Sequence, residues 1–153
     1  MTNTERLILT LHADLQPLCR EHLAACALHG IRLCVTQGYR SSAEQAALYA
    51  KGRTAPGKIV TKAPPGYSWH EYRRAYDVAV LDANNHATWP NDPGLWTMIG
   101  ALGKTLGLSW GGDFKTITDR PHFEYHPGLT LAQVRAHDTE PAPSPEPADA
   151  KTA

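Results

Sequence analysis

Two histidines and two aspartates in this chain have the types and spacing to do chemistry together, and they come in two short clusters. The first is SWHEYRRAYDVAV, Ser68 to Val80, in which His70 and Asp77 stand at the mouth of an apolar run. Residues Tyr76 to Leu81 read as a buried strand, so Asp77 puts a carboxylate where a bare charge is costly and something must compensate it. The second cluster is DRPHFEY, with His122 on a short strand and Asp119 three residues earlier. Two imidazoles and one carboxylate, with a fourth position left for water, make a catalytic zinc arrangement rather than a structural one. The ion would offset the Asp77 charge, and a water on zinc loses a proton near neutral pH and becomes a nucleophile. Such a reaction needs a base that is not a ligand, for which Asp119 is placed. It also needs a positive group for an anionic or carbonyl part of the substrate, for which Arg40 is available. Each residue has an ordinary reading too: Asp77 capping a turn, His70 in a solvated loop, Asp119 as a turn residue before Pro121. Their joint occurrence is what carries the site.

The elements that must position these residues are legible in outline. Thr2 and Glu5 form a capping-box pattern ahead of Leu7, Ile8, Leu11, Leu15 and Leu18, and Pro17 inside that run predicts a kink or a second helix starting near it. Gly30 ends the helical region, and IRLCVTQ then alternates Ile31, Leu33 and Val35 with other residues in strand period. Ser41 and Glu44 form a second capping box, opening a helix that Gly52 stops. Residues 52–67, rich in Gly and Pro, read as a long surface loop of the kind that is more often functional than idle. After the strand at Tyr76, Asp92 and Pro93 start a helix whose buried face is expected at Leu95, Ile99, Leu102 and Leu106, with Gly107 closing it. PHFEY reads as a strand, and Thr130 caps a last helix through His137. One domain is expected over 1–137, followed by a disordered Pro/Ala-rich tail over 138–153.

Bulk properties exclude other classes. The chain has no net charge and no run of Lys or Arg, so the basic footprint of a nucleic-acid binder is absent and no nucleic-acid partner is expected. No segment approaches the roughly 18 apolar residues that span a bilayer, so no stable membrane association is expected. The start, MTNTERLILTLHADLQ, lacks the pattern of a secretory signal, which predicts a cytoplasmic location. Three cysteines, an odd count, argue against a disulfide framework. Cys19, His22, Cys26 and His29 fall on one helical stripe, but one straight helix rarely turns four side chains onto one ion, so core packing is expected there.

SWHEYRRAYD resembles the S-x-H-x-x-G-x-A-x-D motif of the M15 zinc peptidases, the family of D-Ala-D-Ala carboxypeptidases and L-alanyl-D-glutamate peptidases. Ser68, His70, Ala75 and Asp77 match it. DRPHFEY is similar to the family's D-x-P-H-F segment, QGYRSSAEQAALYAKGR to the block carrying a substrate-clamping arginine, and LGLSWGGDF to its Trp-Gly-Gly stretch. The resemblance covers about residues 30 to 126 with the motifs in the family's order. It implies zinc held by His70, Asp77 and His122, with Asp119 as general base and Arg40 contacting substrate. Ser68 would be a substrate or outer contact beside the metal histidine. Gln45 and Trp110 are further substrate-contact candidates, with helix bracing and core packing as their alternatives. Glu124 is the alternative base and His126 the alternative histidine.

The implied fold is α+β, a small mostly antiparallel sheet with packed helices, Hedgehog/DD-peptidase-like, with zinc at the sheet edge. One departure stands out, because the family's motif glycine is Arg73 here. If the backbone needs a positive φ, arginine strains it by on the order of 1 kcal/mol. If the turn is rebuilt instead, Arg73 or Arg74 is free to reach toward an acidic peptide. The expected function is cleavage of the L-Ala–D-Glu bond of the peptidoglycan stem peptide by a monomeric phage or prophage endolysin. Such an enzyme is held in the bacterial host cytoplasm until release and acts on peptidoglycan in the periplasm. The alternatives are a D-Ala-D-Ala carboxypeptidase of the same family, a non-catalytic wall-binding module with structural zinc, and a metal-dependent nuclease or deaminase.

Overall fold

Thr2 accepts a hydrogen bond from the Glu5 amide at 3.1 Å and starts α1, Asn3–Ile8, in the computed structural model, which describes residues 1–137. The expected tail lies outside the described residues. The chain turns between α1 and α2, Leu15–Leu28, so Pro17 falls in the first turn of a second helix. Its missing N–H costs nothing there, and one long kinked helix is not formed. The remaining elements are β1, Leu33–Gln37; α3, Ser42–Ala50; a 3₁₀ turn at Trp69–Tyr72; β2, Ala75–Leu81; β3, Ala87–Thr88; α4, Pro93–Thr105; β4, Ser109–Trp110; a second 3₁₀ turn at Gly111–Asp113; β5, His122–Glu124; and α5, Leu131–His137. Both Ser41 and Ser68 form full capping boxes, with Glu44 and Glu71 respectively.

The sheet is antiparallel throughout, in the order β1-β2-β5-β4 with β3 also on β2. Val35 pairs with Val78, but Gln37 pairs with Asp77, so a bulge lies between Val35 and Gln37. Asp77 and Val78 point to opposite faces, and so therefore do Gln37 and Val35, although they are two apart. The bulge thus transfers Gln37 onto the face of Asp77. Asp77 in turn pairs with His122 of β5, which lines up Gln37, Asp77 and His122 in one row across three strands. The adjacent row, Tyr76, Phe123 and Trp110, faces the core.

Helices α1 and α2 pack on β1, and α4 packs on α2 and β4. The buried face of α4 is Trp96, Ile99, Gly100 and Gly103, whereas Leu95, Leu102 and Leu106 are only partly buried at its flanks. Ile99 is buried as expected, and the correction concerns the three leucines, which flank the face rather than form it. A Cβ at Gly103 would lie 2.7 Å from the Phe123 ring, so the helix approaches the sheet where side chains are missing.

His22 fills the core between α2, β2 and α4. Its Nε2 donates to the Ile99 carbonyl at 2.9 Å, since a carbonyl can only accept, which leaves Nδ1 to accept from the Tyr76 hydroxyl at 2.7 Å. Both ring nitrogens are occupied, and Cys19 and Cys26 are buried thiols whose pKa burial pushes up to about 12 and about 11. Cys19, His22 and Cys26 are core, as expected, whereas His29 is exposed at the end of α2. Burial also holds the His22 pKa below its ordinary value, against the backbone bond to Ile99. The unfolded chain therefore takes up a proton near pH 6.5 that the native state refuses. Stability is complete above that pH and falls below it, by at most about 1.4 kcal/mol per pH unit from this group. Urea midpoints should show the stability gap between wild type and His22→Gln narrowing from pH 7.5 to 5.5; a constant gap would contradict the assignment.

Arg73 adopts φ 63° as the cap of the 3₁₀ turn, so the backbone keeps the glycine-type conformation and the turn is not rebuilt. Its side chain packs backward, with Nη1 donating to the Thr10 carbonyl at 2.7 Å and the guanidinium 4.2 Å from the Tyr39 ring centroid. Arg74 turns toward His12. Of the two alternatives the left-handed turn is the one formed, and neither side chain lines the cleft.

Candidate active site

His70, Asp77 and His122 come from three places: the 3₁₀ turn, the middle strand and β5. His70 Nδ1 donates to the Gly38 carbonyl at 2.8 Å, which turns the lone pair of Nε2 inward. His122 Nε2 lies 2.8 Å from Glu124 Oε2, which turns Nδ1 inward. The two inward nitrogens are 3.2 Å apart, and Asp77 Oδ1 lies 3.1 Å from His122 Nδ1 and 3.3 Å from His70 Nε2. Three donor atoms thus converge on one point. Ligands on a tetrahedral ion at zinc-like bond lengths are about 3.3 Å apart, so the residues present fit such an ion without rearrangement.

Electrostatics agree with the geometry. Burial opposes the charge of Asp77, but His70 and the hydrogen bonds of both histidines outweigh it and hold the carboxyl well below the usual range. Burial likewise opposes a charged His122, and its bonds to Asp77 and Glu124 lift its pKa to about 10. A cation among these groups is stabilised by the same carboxylates and displaces that proton on binding.

The cluster opens onto a cleft of about 470 Å³ that Arg40, Ser68 and Asp119 also line. Among the described residues the Asp119 carboxylate has no hydrogen-bond partner. Burial raises its pKa, and the charge of Asp77 adds to that. Its backbone is fixed: the Asp119 amide donates to the Gly111 carbonyl at 2.9 Å, and the His122 amide to the Asp119 carbonyl at 3.2 Å. A Cβ at Gly111 would come 2.1 Å from that same Asp119 carbonyl oxygen, which is the physical need for glycine in the Trp-Gly-Gly stretch.

Arg40 spends Nε on Gln37 at 2.9 Å, Nη1 on Gln45 at 2.9 Å, and an Nη2 bond on Gln37 as well. One N–H on Nη1 and one on Nη2 remain, and Nη2 lies 3.9 Å from Asp77 Oδ2. Gln45, expected as a substrate contact, is fully buried and braces instead, with Nε2 donating to the Ala63 carbonyl at 2.7 Å. Trp110 is also placed away from the cleft, buried with its Nε1 on the Arg120 carbonyl at 2.8 Å. Ser68 does line the cleft, and its Oγ accepts from the His70 amide at 3.3 Å. Glu124 lines the cleft but is committed to His122 and His126, and His126 lies behind Glu124.

The 52–67 loop forms one wall and is tied down. Arg53 holds the Thr61 carbonyl at 3.1 Å, and Glu71 accepts from the Ser42 hydroxyl at 2.9 Å, the Gly66 amide at 2.7 Å and the Ser68 amide at 3.2 Å. Sequence reasoning missed Glu71, although S-x-x-E at Ser68 was a readable cap. It also missed Phe114, whose ring lies 5.6 Å from His122.

The expected placing of zinc at the sheet edge is corrected, because Asp77 and His122 sit side by side on the inner strands β2 and β5. This buried His-Asp-His cluster, open on one side to a cleft that Asp119 also lines, defines a hydrolytic metal centre. The family model described as D-alanyl-D-alanine carboxypeptidase matches residues 61–125. The chain is 38% identical over 126 residues to the peptidoglycan L-alanyl-D-glutamate endopeptidase CwlK of Bacillus subtilis (strain 168), covering 75% of each. The chain belongs to the M15 family of peptidoglycan-cleaving metallopeptidases. Solved structures share the fold: the L-Ala D-Glu endopeptidase ChiX of Serratia marcescens has a TM-score of 0.58 at 20% identity, covering 88% of this chain and 91% of that one. The vancomycin resistance D,D-pentapeptidase VanY in complex with Zn(II) has a TM-score of 0.56 at 16% identity, covering 82% and 78%.

Proposed function

We propose that this enzyme hydrolyses the L-Ala–D-Glu bond of the peptidoglycan stem peptide, with zinc held by His70 Nε2, Asp77 Oδ1 and His122 Nδ1. The convergence of those three atoms beside an unpaired Asp119 carries the reading of hydrolysis, and the likeness to CwlK supports the choice of bond. When bound, zinc supplies Lewis acidity and lowers the pKa of water in its open position. The chain's own residues do the rest. Asp119 takes the proton of the attacking water and returns it to the departing D-Glu amine. The two unspent N–H groups of Arg40 face the scissile carbonyl, where negative charge develops, and Gln37 and Gln45 keep the guanidinium from swinging onto Asp77. Ser68 holds His70 in place through its amide, and Lys62 on the loop wall offers a second cation to the acidic peptide.

The test is mass spectrometry of products from purified Gram-negative muropeptides incubated with the zinc-loaded enzyme. A new D-Glu amine, with L-Ala left on the sugar, is expected. Release of D-alanine would keep the metal chemistry and assign the carboxypeptidase reading that the family description favours. No product from a zinc-loaded protein would favour a wall-binding module. Within this reading the protein is a phage lysis enzyme, released from the host cytoplasm to reach the periplasmic wall. Co-expression with a membrane-permeabilising holin should lyse a Gram-negative host; intact cells, with an enzyme active on purified wall, would assign it to wall turnover.

A further inference from the structure

Glu124 and His126 fit neither role expected for them, as alternative base and alternative histidine, and together they make a different device. Glu124 Oε2 holds His122 Nε2 at 2.8 Å, and its other oxygen, Oε1, holds His126 Nε2 at 2.9 Å. With both oxygens occupied, the carboxylate plane cannot rotate, and the His122 ring that hangs from it keeps its heading. His126 is fixed in turn by Trp69, whose ring lies parallel to it at 3.9 Å between centroids and 5° between planes. Trp69 precedes the other metal histidine, His70, in the same 3₁₀ turn. The contacts therefore run from His122 through Glu124, His126 and Trp69 to His70, so the metal centre is bracketed from behind.

We propose that His126 is a positioning residue for the metal centre, acting through Glu124 on His122 and through Trp69 on His70. It touches neither substrate nor ion. Its contribution is orientation: a carboxylate behind a metal histidine fixes its tautomer and heading, and losing such partners weakens metal binding by roughly 10- to 100-fold. The stacked ring adds a rigid stop for the carboxylate that a flexible donor in the same place would not give. Most of His126 is covered, at 24% side-chain exposure, so the bracket is sheltered from competing water.

The inference rests on the zinc reading, and the experiment separates the two. Zinc affinity of the full chain is measured by competition with a chromogenic chelator for wild type, His126→Ala, His126→Gln and Trp69→Leu, alongside thermal midpoints of the zinc-free proteins. His126→Ala should weaken zinc binding by about 10-fold or more. His126→Gln keeps a donor for Glu124 but no ring to stack, and it and Trp69→Leu should each fall between wild type and His126→Ala. Zinc-free midpoints should stay together, because the bracket acts on ligand orientation and not on the core. Wild-type affinity in His126→Ala would overturn the inference and leave the zinc reading intact. A weakened affinity matched by an equal fall in the zinc-free midpoint would also overturn it, as mere loss of structure. A wild type that binds no zinc would remove the zinc reading and this inference with it.

Discussion

Asp119→Asn should retain stoichiometric metal and lose activity by about 10²- to 10⁴-fold in kcat/KM, the usual contribution of a positioned general base. The substitution keeps size and shape, and it leaves untouched the backbone bonds that tie residue 119 to Gly111 and His122. No donor atom of the metal cluster is removed, so metal content is the internal control. What the variant lacks is an acceptor with a proton affinity suited to the attacking water. Glu124, the other carboxylate near His122, cannot take over, because both its oxygens are already hydrogen-bonded. Steady-state rates on the purified stem peptide, with zinc content measured on the same samples, decide the matter. Normal turnover in a metal-loaded Asp119→Asn would remove Asp119 from the chemistry.

The second large effect is on stability. Phe123 is fully buried, lies edge-on to the His22 ring at 4.5 Å between centroids and stacks on Tyr76 at 5.7 Å. It fills the space that Gly103 leaves on α4, so nothing nearby can collapse into the hole its ring would leave. Phe123→Ala should cost about 3–5 kcal/mol, the range for deleting a buried aromatic ring, and lower the melting midpoint by on the order of 10 °C. Residues 122 and 124 flank it on the opposite face of β5, so zinc affinity should fall in the same variant. A loss under about 1 kcal/mol by urea denaturation would show that the core repacks there and that the sheet is not what fixes the site.

How much of this was legible in the sequence varies by physical cause. Local chemistry was readable: the box at Ser41 formed in full, and at Thr2 the cap on the Glu5 amide formed while the Glu5 carboxylate went to Arg20 instead. The strand at Tyr76 and the donor cluster at its mouth also followed from local pattern and the cost of a buried charge. Tertiary causes were not readable. The bulge that sets Gln37 beside Asp77 depends on pairing with β2, and nothing local to LCVTQ announces it. Ile99 and three leucines suggested the buried face of α4; Ile99 is on it, but close approach to Trp110 and Phe123 put Gly100 and Gly103 there in place of the leucines. Gln45 stood as a substrate contact or a brace, and the choice depends on its partner across the loop, Ala63, 18 residues away. Arg73 posed two alternatives that only backbone geometry could decide, and the structure keeps the left-handed turn while supporting arginine from Thr10 and Tyr39. His122 and Glu124, two apart on the expected strand, were visible as one face, but their roles and that of His126 follow from which ring nitrogen each oxygen holds.

The central claim is that two imidazoles and one carboxylate hold a zinc ion at the mouth of β2. X-ray absorption at the zinc edge, on the full chain loaded with one equivalent of zinc, tests it most directly. The account predicts a first shell of nitrogen and oxygen alone at about 2.0–2.1 Å, including two imidazoles, and its collapse in His70→Ala. A sulfur shell near about 2.3 Å would move the ion to the cysteines of α2, and a protein that takes up no zinc would leave the cluster without its metal; either result would contradict the account.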